Sequence, residues 1–143
     1  MFAAFPLLSL VVLIYNVVAV ATLSGGLHAT DASAQLSQQL FVIRMTSGAS
    51  WPVALGDLLL GAGLVVLFIE LLKSTTSRRV AIINHSLSMV VFIVCLVEFL
   101  LFQAFATSTF FLITLMVLLD VLAGFIVTIV SARRDVDFGP GAD

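Results

Sequence analysis

The chain has 143 residues, 62% of them hydrophobic and only 10% charged, with a formal net charge of -2 and a mean hydropathy of +1.26. Soluble domains are roughly half apolar and about a quarter charged, so a soluble chain of this size could not hide so much apolar surface, and lipid must be the solvent for much of it. No basic patch is interleaved with aromatic residues, which excludes nucleic acid as a partner.

The first apolar segment spans residues 5–23 and ends at Ser24-Gly25-Gly26. Pro6 falls in the opening turn of that helix, where its missing N–H costs little. The segment could be read as a cleaved signal peptide, because small residues follow it. Its leading MFAAFP lacks Lys and Arg, however, and no clear A-x-A site follows. A retained helix is the preferred reading, since its polar Tyr15-Asn16 centre suits packing against partners.

The only long connection runs from Ser24 to Pro52. Thr30-Asp31 can start a short helix with Leu36, Leu40 and Ile43 on one side, or FVIRM can be a short extended piece before the turn-forming TSGAS. In either form the segment is amphipathic and is expected on the membrane surface or capping the bundle. Trp51 then stands at the head of the next span, where an indole suits the interface.

Three further apolar segments follow at about 53–72, 80–106 and 108–130. Each is near or above the ~20 residues that cross about 30 Å of hydrocarbon. Residues 131–143 read as a short, flexible polar tail. No internal repeat is evident. The expected architecture is therefore an all-α membrane protein, a single domain over 1–143, with four transmembrane helices in an antiparallel bundle and a short amphipathic segment in the first external connection.

Basic residues set the expected orientation. Lys73, Arg78 and Arg79 fill the second connection and Arg133 and Arg134 follow the last span, against Arg44 alone in the long connection. The positive-inside rule places both termini in the cytoplasm.

Polar residues inside the spans are the candidate functional groups. An acid in a lipid-crossing helix is costly and is usually turned toward protein or trapped water. Asn16 is near the middle of the first span, Asp57 near the outer end of the second and Glu70 near its inner end. His85, Glu98 and Asp120 lie at the inner, outer and middle levels of the last two spans. Asn84, Ser88, Val91, Cys95, Glu98 and Phe102 follow 4-3-4-3-4 spacing and share one helix face. Asp120, Gly124, Thr128 and Ser131 line up similarly. Gly56, Asp57 and Gly61 make a small patch, and Gly63 shares a face with Glu70. Small and polar residues mark helix seams in lipid, so Asn16, Gly56, Gly61, Gly63, Asn84, Ser88, Cys95, Gly124 and Thr128 are the expected helix–helix or subunit contacts.

Two functions fit this pattern. In the first, Glu98, Asp120 and Asn16 are interhelical hydrogen-bonding groups, each contact contributing roughly 0.6 to 2 kcal/mol. In the second, Glu98, Asp120, His85, Asp57 and Glu70 handle a proton or cation, with Glu98 and Asp120 as the ion-handling pair and His85 as the inner gate. A charge at a helix centre costs at least about 2.5 kcal/mol, which one hydrogen bond barely offsets, so neutral acids or a hydrated cavity are favoured.

Catalytic and metal chemistry find no support. His28 and His85 are expected on opposite sides of the membrane, so no axial histidine pair for a haem forms within one chain, and no metal ligands converge. His85 and Ser86 are adjacent and do not face each other on a helix. Asn84-His85-Ser86 matches the glycosylation pattern but falls in or inside the membrane. The lone Cys95 allows no disulfide within the chain and reads as a small buried hydrophobe. No enzyme activity and no cofactor are expected.

The last two spans, INHSLSMVVFIVCLVEFLLFQAFATSTFFLITLMVLLDVLAGFIVTIVSARRD, together with SWPVALGDLLL, resemble small uncharacterised bacterial four-span inner-membrane proteins. The resemblance covers most of the chain past Trp51. It implies an inner-membrane four-span protein and brings no activity or site residue with it. The expected function is association in the bilayer, as a homo-oligomer or an accessory subunit of a larger membrane complex. The alternative is an oligomeric proton- or cation-linked channel or transporter.

Overall fold

The computed structural model describes residues 5–24, 30–73 and 78–137. Helix α1 (Leu8–Ser24) is followed by the short helix α2 (Thr30–Leu36), strands β1 (Gln39–Arg44) and β2 (Ser50–Ala54), helices α3 (Leu55–Lys73) and α4 (Arg78–Leu101), a 3-10 turn (Gln103–Phe105) and helix α5 (Ser108–Asp137). Among the described residues, three segments are long and apolar enough to cross a membrane: Leu55–Lys73, Ile82–Leu101 and Ser108–Val130. The apolar helix α1 is shorter, with 17 residues.

The chain is mostly helical but not wholly so, which corrects the all-α expectation. In the first connection both alternatives are realised in succession, a helix over 30–36 and then an antiparallel hairpin. Phe41 pairs with Val53, Val42 with Pro52, Ile43 with Trp51 and Arg44 with Ser50. The hairpin turns where Gly48 takes φ 85°, a left-handed conformation that glycine adopts without a steric penalty. Pro52 is tolerated because each strand of a two-stranded ribbon has a free edge.

Helix ends also differ from the expected ones, for local reasons. The third span stops at Leu101 because Phe102 is extended, with φ -116° and ψ 123°, and leads into the 3-10 turn. This lets Phe105 fold inward, its ring centroid 5.7 Å from that of Tyr15 and 4.9 Å from that of Phe110. The last helix continues past Val130 to Asp137, because no Gly or Pro interrupts residues 131–137. The rest of the expected tail, and His28, lie outside the described residues.

Packing follows from periodicity. Helix α5 lies against α4, α3 and α1. On α1, Leu8, Val11, Val12, Tyr15 and Ala19 are buried while Leu10, Leu13, Ile14 and Val17 are exposed, so one stripe faces the core. Direction is fixed at both ends. Lys73 Nζ, at the end of α3, donates to the Phe5 carbonyl just ahead of α1 at 2.7 Å. Tyr15 donates to the Ala104 carbonyl at 3.2 Å, beyond the end of α4. Helices α1 and α4 therefore start at one end of the molecule, where α3 finishes.

A buried polar seam as the candidate functional site

Near the start of α4, the face predicted from spacing turns inward. Asn84 and Ser88 are buried there with Glu70 of α3 and Asp120 of α5, and both acids are fully inaccessible. Glu70 sits at the centre of one group. Its Oε2 accepts the backbone N–H groups of Leu7 and Leu8, the latter at 3.3 Å. Its Oε1 accepts Asn84 Nδ2 at 2.8 Å and lies 3.5 Å from the Lys73 ammonium. Leu7 and Leu8 open α1, where backbone N–H groups lack helical partners and the helix dipole favours negative charge. The Glu70 carboxylate thus caps α1 from 63 and 62 residues further along the chain. Lys73 completes the group at 3.5 Å from Asn84 Oδ1.

A second group adjoins it on the other side of Asn84. The Ser88 hydroxyl lies 3.0 Å from the Asn84 carbonyl and also hydrogen-bonds Asp120 Oδ2. Asp120 Oδ1 is 3.7 Å from His85 Nδ1, too far for a hydrogen bond. Among the described residues, Asp120 Oδ1 and both His85 ring nitrogens are buried without a hydrogen-bond partner. The imidazole lies directly on the backbone of α5 at Gly124, where any Cβ would overlap the ring. Its outer side lines a groove of about 260 Å³ with Ile82, Ser86, Met89, Phe125 and Thr128. The hydroxyls of Ser86 and Thr128 donate to carbonyls of their own helices, at 2.9 Å each.

The remaining candidates are dispersed. Glu98 does not meet Asp120; Asn16 Nδ2 reaches it across the α1–α4 seam at 3.3 Å. Between these levels the buried residues are Cys95, Ile113, Met116 and Val117, together with Thr114, whose hydroxyl donates to the Phe110 carbonyl at 2.9 Å. Asp57 is exposed and accepts the Ala54 N–H at 2.9 Å, which is the acidic half of a capping box at the start of α3. Gly56 and Gly63 are buried and closely approached by neighbouring elements. A Cβ at Gly56 would stand 3.0 Å from Thr109 Oγ1, and one at Gly63 would stand 2.9 Å from Met116 Sδ. Gly61 is not a seam residue within the chain, because nothing lies within 4 Å of its Cβ position. Thr128 is exposed and binds only back to Gly124.

Sequence reasoning missed the junction of Tyr15, Ala104 and Thr107. The Thr107 hydroxyl contacts Tyr15 and accepts the Phe110 N–H at 3.1 Å, capping α5. Thr107-Ser108 ahead of an apolar run was the available signal. It also missed the capping of α1 by Glu70, for which Pro6 marks the receiving end. No three metal-ligating side chains cluster among the described residues. No family model matches the chain, and neither a curated protein nor a solved structure is significantly similar to it.

Proposed function

We propose that this is an integral inner-membrane protein of four spans, with both termini and the 73–78 connection cytoplasmic, that works by association as a homo-oligomer or as an accessory subunit of a membrane complex. Helix α1 serves as the fourth span. At 17 residues it is about 26 Å long, and it packs along the other helices with its start at the Lys73 end. At that end α4 also begins, with Arg78 and Arg79, and α5 finishes, past Arg133 and Arg134, which is the arrangement expected of a cytoplasmic face.

The observation that carries association is the hairpin. Leu40 and Val42 are 50% and 45% exposed, while Phe41, Ile43 and Trp51, on the face that the register sets apart from Val42, are 47%, 40% and 48% exposed. A membrane surface covers one face of a ribbon. It cannot cover both, because the unpaired strand edges would then lie in hydrocarbon without hydrogen-bond partners. The register puts Arg44, Ser50 and Pro52 on the Val42 face, so the apolar face of Phe41, Ile43 and Trp51, with the free edges, is the one that suits a protein neighbour, through side-chain contact or strand addition.

Native mass measurement in mild detergent tests this reading. The native chain is expected as several copies or with a co-purifying partner, and Phe41→Ser with Ile43→Ser is expected to disperse it. A lone native monomer without any partner overturns association. The transport alternative needs a polar route, and between Asp120 and Glu98 the one buried polar side chain of α5 is Thr114, whose hydroxyl is taken up by the Phe110 carbonyl.

A further inference from the structure

Hydrogen counting distinguishes the two buried acids. Serine has one hydroxyl hydrogen, whereas a backbone carbonyl only accepts. The Ser88 hydroxyl stands 3.0 Å from the Asn84 carbonyl and within bonding distance of Asp120. When Ser88 donates to Asn84, the hydrogen between Ser88 and Asp120 must belong to Asp120. The opposite arrangement leaves a fully buried carboxylate with one hydrogen bond and an orphaned oxygen, which is far more costly than an orphaned neutral oxygen. Glu70 shows what a buried carboxylate needs here: two backbone N–H groups, an amide and an ammonium. Asp120 has none of these. Beside it stands an imidazole with both nitrogens orphaned, held against Gly124 and lining the groove.

We propose that Asp120, Ser88 and His85 form a proton-binding site in the α4–α5 seam, in which Asp120 holds the proton and His85 carries it between Asp120 and the groove. In the outward step the Asp120 carboxyl first turns about its Cβ–Cγ bond, carrying the O–H that faced Ser88 round to His85. That O–H bond then breaks as an N–H bond forms at His85 Nδ1, once the gap that is 3.7 Å from Oδ1 to Nδ1 closes to hydrogen-bond length. Ser88 then turns its hydrogen from the Asn84 carbonyl to the new carboxylate. The imidazolium loses its Nε2 hydrogen to a water molecule entering the groove and returns to the neutral form. Lys73 and Glu70 on α3 and His85 on α4 are the charged or titratable groups that act on Asp120. Helix α1 brings only Tyr15, at its middle, with the hydroxyl on Ala104 and Thr107. The site stands independently of association, since all its groups come from one chain.

The test is isotope-edited infrared spectroscopy of the full chain in lipid, with ¹³C-carboxyl aspartate. At neutral pH a protonated aspartate C=O band is expected. It should vanish in Asp120→Asn, shift in Ser88→Ala and stay unchanged in Glu98→Gln. In D₂O the native band should show deuterium exchange, at least tenfold slower in His85→Phe. Folding of each variant is checked by its helical circular dichroism. No band attributable to Asp120 in folded protein overturns the proton holder. Exchange unaffected in folded His85→Phe overturns the carrier.

Discussion

The Glu70 and Asp120 groups sit side by side on either end of Asn84, both fully buried, yet they are built in opposite ways. Around Glu70 each carboxylate oxygen has donors: α1 amides on one, Asn84 and Lys73 on the other. Around Asp120 one oxygen meets a hydroxyl and the other meets nothing, beside an imidazole in the same condition. A saturated charge holds three helices in register. An unsaturated pair, in a structure that satisfies its neighbour so fully, calls for an explanation, and the proposed proton site supplies one.

That contrast is broken most severely at Glu70. Glu70→Ala strands Lys73, Asn84 and two helix-start N–H groups, and should cost about 3–5 kcal/mol, read as a fall in the thermal unfolding midpoint in detergent. An unchanged midpoint would mean that α1 is held by its apolar face alone. Gly124→Val comes next. It forces the His85 ring off α5 and should cost about 1–3 kcal/mol from overpacking, with a displaced His85 side-chain NMR signal as the specific sign. Asp120→Asn keeps a donor for Ser88 and should cost about 1 kcal/mol or less; a loss comparable to that of Glu70→Ala would place Asp120 among the saturated charges instead. The smallest effect is a gain. Gly61→Ala meets open space within the chain and should stabilise the helix by roughly 0.5–1 kcal/mol, so a marked loss there would reveal a neighbouring subunit at that face.

Much of the architecture was legible from residue pattern. Apolar runs gave the three long helices, and the 4-3-4 spacing from Asn84 to Glu98 gave the buried face of α4, because both depend on local periodicity. What escaped depends on distant partners. Nothing near Glu70 in the chain announces that its carboxylate caps the start of α1. Glu98 and Asp120 were expected as a pair because both are acids in adjacent spans, but depth separates them, and each found a different amide or hydroxyl. The hairpin was obscured by its own composition: with apolar residues on both faces, β1 lacks the alternation that marks a strand.

The account depends most on lipid surrounding the outer faces of the three long helices and of the shorter α1. Nitroxide labels at Leu13, Val65, Val90 and Ile126, which are 55%, 62%, 57% and 62% exposed, test this in reconstituted bilayers by collision with oxygen and with a water-soluble nickel chelate. High oxygen and low nickel accessibility at all four positions is the predicted result. Ready access of the nickel chelate to Leu13 would take α1 out of the bilayer and contradict the four-span reading.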